Sequence, residues 1–210
     1  PSFGIGLFLV GLGVVVVGNW VNEVWLIGLS GIGISPAEMP DTQDGSVQAL
    51  ILNILMVGIL PAILEELVFR GLILQSLRFA GDTIAIVVSG ILFGLMHGTI
   101  NQIPFAIILG IYFGYVALKT GNILLSMALH FANNTVAVIM EYVTYGMETA
   151  DVARYETIYF VIVGLLGILG MAILAGQSRT KLFAMGDNGQ AFLSQKSRCK
   201  IVLTEPTILV

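Results

Sequence analysis

Between Val47 and Leu77 the only charged side chains are Glu65, Glu66 and Arg70. A helix that crosses the hydrocarbon core of a bilayer needs about 20 mainly apolar residues, and this stretch is longer than that. Charged groups at bilayer depth are costly, so they face a protein interior or a water-filled cavity and mark function. The stretch thus constrains both the solvent in which the chain folds and the place where chemistry is expected.

The rest of the chain fits the same solvent. It is 57% hydrophobic and 10% charged, whereas a soluble domain carries about 25% charged residues. Lys and Arg are sparse and form no stripe, so a nucleic-acid partner is not expected. The single cysteine, Cys199, excludes an internal disulfide and a cysteine-rich metal site. The chain begins at Pro1 without an initiator methionine, the pattern of a fragment with helices upstream. No basic residue precedes the first apolar stretch, so it does not read as a signal peptide.

The fold class expected is all-α: a polytopic transmembrane helical bundle of about six spanning helices. The spans run from about Phe3 to Ile34, Val47 to Leu77, Thr83 to Gly98, Ile103 to Leu118, Ile123 to Val143 and Ile158 to Ala175. Gly18, Asn19 and Glu23 interrupt the first span, and Trp20 and Trp25 suggest an interfacial kink or a break there. Residues 1–176 form the transmembrane domain, and 177–210 a polar tail that ends in a short strand or a disordered extension. With the tail in the cytoplasm, Arg78, Lys119, Arg179, Lys181, Lys196, Arg198 and Lys200 all fall inside, and only Arg154 falls outside. The positive-inside rule then puts both ends in the cytoplasm of a multi-pass membrane protein.

Within the spans the polar residues are spaced, not scattered. Glu66 and Arg70 are four apart and share a helix face, whereas Glu65 points about 100° away. Arg70 is expected to hold Glu66 ionised and structural, leaving Glu65 free as a base. His130 and Asn134 also share a face and can aim at one ligand atom. The protein has two histidines, His97 and His130, and both fall in expected spans. At 1.5 Å per residue, Glu65, His97 and Asn134 lie roughly 20, 22 and 18 Å from the cytoplasmic ends of their helices, and His130 roughly 12 Å. Asn101 and Gln102 are expected in a loop at the cavity mouth. The glycine pairs Gly90/Gly94 and Gly110/Gly114 have the small-xxx-small spacing that lets helices approach closely.

This set of groups suits hydrolysis. A buried carboxylate is a competent general base. One histidine can hold the attacking water, and a second histidine with an amide can donate to the developing oxyanion. Neither Ser nor Cys is paired with these groups, so no covalent nucleophile is required.

Glu-Glu-x-x-x-Arg (65–70), Phe-x-x-x-His (93–97) and His-x-x-x-Asn (130–134), in this order on successive spans, resemble the CAAX-protease and bacteriocin-processing family of intramembrane endopeptidases. That family includes the type II CAAX prenyl endopeptidases, and its core here is about 47–140. The resemblance implies that Glu65 and His97 activate water, that His130 and Asn134 form the oxyanion site, and that Glu66 and Arg70 support them. It implies a peptide or membrane-anchored protein substrate, lipidated or not, reached within the lipid bilayer. No cofactor is required on this reading. Zinc held by Glu65, His97 and His130 is the mechanistic rival, although the spans lack the His-Glu-x-x-His pattern of zincins. The chain is shorter than the prenyl endopeptidases, and no prenyl-binding groove is legible. Two other functions compete: a non-catalytic bacteriocin-immunity or scaffold protein on the same fold, and a transporter using the charged cluster as a coupling site. A transporter predicts internal repeats, and none is visible. An inactive scaffold predicts the loss of a catalytic position, and all four are present.

Overall fold

The computed structural model describes residues 2–35 and 44–177. Glu38, Asp41, Cys199 and the basic residues of the tail lie outside the described residues. Six helices follow in order: α1 (Ser2–Gly31), α2 (Val47–Ala80), α3 (Asp82–Met96), α4 (Ile103–Thr120), α5 (Leu124–Thr144) and α6 (Thr149–Ala175). No strand occurs among the described residues. The protein is an integral membrane protein. α1, α2, α4 and α6 have the length and apolarity to cross a bilayer. α3 is shorter, at 15 residues. α5 has 21 residues and carries His130, Asn133 and Asn134.

Burial runs opposite to that of a soluble protein. Trp20, Ile27, Leu64 and Leu72 are exposed, while Glu66 and Arg70 are completely buried. Lipid tails solvate the apolar exterior at no cost, so the polar groups collect where helices meet.

α1 is a continuous helix, which corrects the break expected near Gly18, Asn19 and Glu23. Asn19 Nδ2 donates to Val15 O within its own helix at 2.9 Å, and Trp25 donates outward to the α3–α4 loop, so neither opens the backbone. α6 begins at Thr149, earlier than expected. Asp151, Arg154 and Glu156, read as loop residues, lie in its first turns. Acidic Asp151 suits the positive end of the helix dipole.

Caps and glycines place the boundaries. Ser46 Oγ accepts from Ala49 N at 3.1 Å at the start of α2. Hydrogen bonds from Ser46 hold the Asp44 carboxyl below its ordinary range. Gly121, at φ +64°, ends α4 in the left-handed conformation.

Two glycine contacts set the helix spacing. A Cβ on Gly90 would lie 2.6 Å from Ile111 N, and one on Gly110 would lie 2.9 Å from Gly90 O. These residues bring α3 and α4 into backbone contact, as the small-xxx-small spacing led us to expect. Between α1 and α6, a Cβ on Gly167 would lie 2.6 Å from Gly13 Cα. Beside them, Leu7, Val15, Leu109, Phe113, Val116, Leu129 and Leu174 form the largest apolar core.

Candidate active site

α2 supplies the first part of the site, and its backbone is unusual. The wider i→i+5 register runs over Ile54–Ile59 and again over Leu67–Ile73, with ordinary α-helix at Leu60–Glu66 between them. Such π segments are rare and occur frequently at functional sites. Glu65 and Glu66 sit at the end of the α segment that the two bulges enclose.

Pro61 lies in that segment. It has no N–H to give to the carbonyl four residues earlier, and that carbonyl, Val57 O, accepts from Asn134 Nδ2 at 2.9 Å. The second bulge leaves a similar vacancy, and Gln75 Nε2 donates to Arg70 O at 3.1 Å. Side chains thus satisfy backbone groups that the register changes release.

Glu66 is the hub of the buried charges. Its Oε1 accepts from Arg70 Nη1 at 2.7 Å and lies 3.1 Å from His130 Nδ1. Arg70 also donates through Nη2 to Gly110 O at 2.8 Å. Its guanidinium lies 4.5 Å from the centre of the Phe93 ring and 5.3 Å from that of Phe113. A planar, delocalised guanidinium suits this aromatic slot better than an ammonium would.

Glu65 faces elsewhere. Its side chain is 25% exposed, and its Oε2 lies 3.9 Å from His130 Nε2. That oxygen makes no hydrogen bond among the described residues. The helix spacing anticipates the Glu66–Arg70 pair and the different direction of Glu65.

His97 is the C-cap of α3, just past the helical residues and not within a span. Its Nδ1 lies 2.9 Å from Phe93 O. Donating Nδ1–H to that carbonyl leaves Nε2 as the reactive nitrogen. Phe93 links the groups, with ring centres 5.0 Å from His97, 5.6 Å from His130 and 5.2 Å from Phe69.

Glu65, His97, His130 and Asn134 all line one cavity of about 410 Å³, with Gln102 and Asn133 also on its wall. Helices α2, α3 and α5 supply the four. Asn133 Nδ2 donates to Asn134 Oδ1 at 3.0 Å, which fixes the amide orientation and leaves one Asn134 N–H beyond the bond to Val57. Glu66 and Arg70 stand behind the cavity. Asn101 contributes its carbonyl to Asn22 and is not on the wall.

Sequence reasoning missed three contributors. Phe93 enters the sequence reading only through the Phe-x-x-x-His motif, yet its ring faces the Arg70 guanidinium and meets both histidines. Glu66 was paired with Arg70 alone, and its bond to His130 spans two helices. Pro61 was not singled out, although a proline inside an apolar span signals a displaced carbonyl. Among the described residues Glu65, His97 and His130 do not come together as a group of metal-ligand geometry.

Residues 47–136 match the family model of the Rce1-like type II CAAX prenyl endopeptidases. Over 101 residues the chain is 30% identical to "Putative membrane peptidase YdiL" of Bacillus subtilis (strain 168). This match covers 45% of the chain and 39% of that relative, so the chain spans well under two thirds of its length. No solved structure matches the chain. The matched segment runs from the start of α2 past Asn134 and contains Glu65, His97, His130 and Asn134. Over residues 47–136 the chain is similar to the type II CAAX prenyl endopeptidases and to a membrane peptidase relative.

Proposed function

We propose that this protein is an intramembrane endopeptidase that hydrolyses a peptide bond with water activated by Glu65 and His97. The observation that carries the reading is the convergence of Glu65, His97, His130 and Asn134, from three helices, on one cavity beside a buried Glu66–Arg70 pair.

The roles follow from the free atoms. A water between Glu65 and His97 donates one hydrogen to the carboxylate and one to His97 Nε2, so its lone pair faces the peptide carbonyl. Glu65 takes the proton as the C–O bond forms. His130 Nε2–H, when the ring carries both protons, and the second Asn134 N–H donate to the oxyanion. Glu65 then returns its proton to the departing amine as the C–N bond breaks. Glu66 accepts His130 Nδ1–H, which orients the ring.

The substrate on this reading is a peptide or a membrane-anchored protein, lipidated or not. The site lies in the outer half of a prokaryotic plasma membrane, with the tail cytoplasmic. No metal is required.

The test is peptide cleavage by purified protein and by Glu65→Ala, with EDTA and 1,10-phenanthroline in parallel. The peptide library includes prenylated Cys peptides. Expected is cleavage that survives chelation and falls by about 10²–10⁴ in Glu65→Ala. Cleavage abolished by chelators and restored by zinc would transfer Glu65, His97 and His130 to a metal. Cleavage indifferent to Glu65→Ala would end the assignment. A folded protein that cleaves nothing in the library would favour the non-catalytic scaffold.

A further inference from the structure

His97 and Gln102 stand at the two ends of the loop that joins α3 to α4, and both line the cavity. The loop makes its own turns, His97 N to Gly94 O and Gln102 N to Thr99 O. Two of its carbonyls are instead taken by α1. Trp25 Nε1 donates to Ile100 O at 2.9 Å, and Asn22 Nδ2 donates to Asn101 O at 2.7 Å. Trp25 and Asn22 are close to one helical turn apart, so one face of α1 grips two consecutive peptide units. α1 lies outside the matched residues 47–136.

We infer that Trp25 and Asn22 are positioning residues for His97, holding the outer rim of the cavity through the loop backbone. The inference rests on the proposed role of His97 in water activation. Its physical basis is short-range. Only Gly98 and Thr99 separate His97 from Ile100, so movement of the gripped carbonyls reaches the imidazole with little slack. Two donors on one face of α1, the Asn22 bond part-buried and the Trp25 bond exposed, hold adjacent carbonyls of the loop together. A displacement of about 1 Å at a reacting group can cost about 10²-fold in rate. Neither side chain lines the cavity, so their effect on the reaction passes through the loop.

The presence of two histidines makes the inference measurable without a substrate. Full-length protein labelled with [15N]histidine gives two imidazole spin systems, and His97→Gln assigns them. In the wild type, His97 is expected as the Nδ1–H tautomer bonded to Phe93 O. Trp25→Phe keeps an aromatic ring and removes only the indole donor. Asn22→Ala removes the other donor. Each variant is expected to shift or broaden the His97 signals and leave those of His130 in place. With a cleavable peptide, kcat is expected to fall about tenfold or more in each variant with KM unchanged. Restoring the indole donor with a ring-nitrogen tryptophan analogue at position 25 should restore the wild-type spectrum.

His97 signals that stay at their wild-type positions in both variants would overturn the inference. So would wild-type kcat in both variants of a protein that cleaves. If the wild type cleaves nothing but the His97 signals respond, the clamp stands and the peptidase reading fails, so the two failures are distinguishable.

Discussion

His130 Nδ1 lies 3.1 Å from Glu66 Oε1, the same oxygen that Arg70 Nη1 reaches at 2.7 Å. One buried carboxylate oxygen therefore fixes a cation on its own helix and an imidazole on another. The pairing turns His130 Nε2 toward Glu65 and ties the reactive face of α5 to α2. Removing one partner of a buried pair leaves an uncompensated charge, which costs about 3–5 kcal/mol. Glu66→Gln and Arg70→Met are each expected to destabilise the protein by about that amount. The double variant should recover part of the loss. Thermal unfolding in detergent checks the ranking, and a double variant less stable than both single variants would contradict the pairing.

Glu65 should behave in the opposite way. Its side chain is partly exposed and its Oε2 has no hydrogen-bond partner among the described residues. Glu65→Gln is expected to leave the melting temperature close to wild type and to lower kcat by about 10²–10⁴. Parallel melting and single-turnover cleavage measurements test this separation of stability from activity.

Asn134 donates to Val57 O, and a second substitution can separate that bond from the proposed oxyanion role. Asn134→Ala leaves Val57 O without its donor, a loss of about 1–3 kcal/mol. It also removes the proposed oxyanion donor, with an expected fall of about 10²–10³ in kcat. Adding Pro61→Ala returns an N–H four residues after Val57. The pair Asn134→Ala/Pro61→Ala should regain stability without regaining activity. Recovery of both would remove Asn134 from the oxyanion site.

The α3–α4 contact has no space for a methyl group. A Cβ at Gly90 would meet Ile111 N at 2.6 Å, with the helix backbone unable to yield. Gly90→Ala is expected to cost about 1–3 kcal/mol through overpacking. It should also lower activity, because Gly110 O, across the same contact, accepts from Arg70. Gly164→Ala, with nothing within 4 Å of the new Cβ, is the control and should melt like the wild type.

The helices, their order and their membrane solvent were legible in the chain alone. Apolar runs of spanning length leave few alternatives once every backbone N–H and C=O must find a partner away from water. The different directions of Glu65 and Glu66, and the pairing of Glu66 with Arg70, were also legible, because residues one and four apart on a helix have fixed directions. The continuous path of α1 was not. Whether a polar side chain breaks a span depends on where it donates, and Asn22 and Trp25 donate to a loop more than seventy residues away in sequence.

What the sequence determined by itself is therefore local: the helical periods, the Glu66–Arg70 spacing, the glycine pairs and the polar residues in apolar spans. Tertiary structure decided which of these groups meet. The His130–Glu66 bond joins residues 64 apart and the Asn134–Val57 bond residues 77 apart. Both depend on the mutual height and rotation of α2 and α5, and on a register shift in α2 that no local propensity announces. Those quantities are set by close packing among all the helices at once, so covalent spacing along one helix cannot specify them.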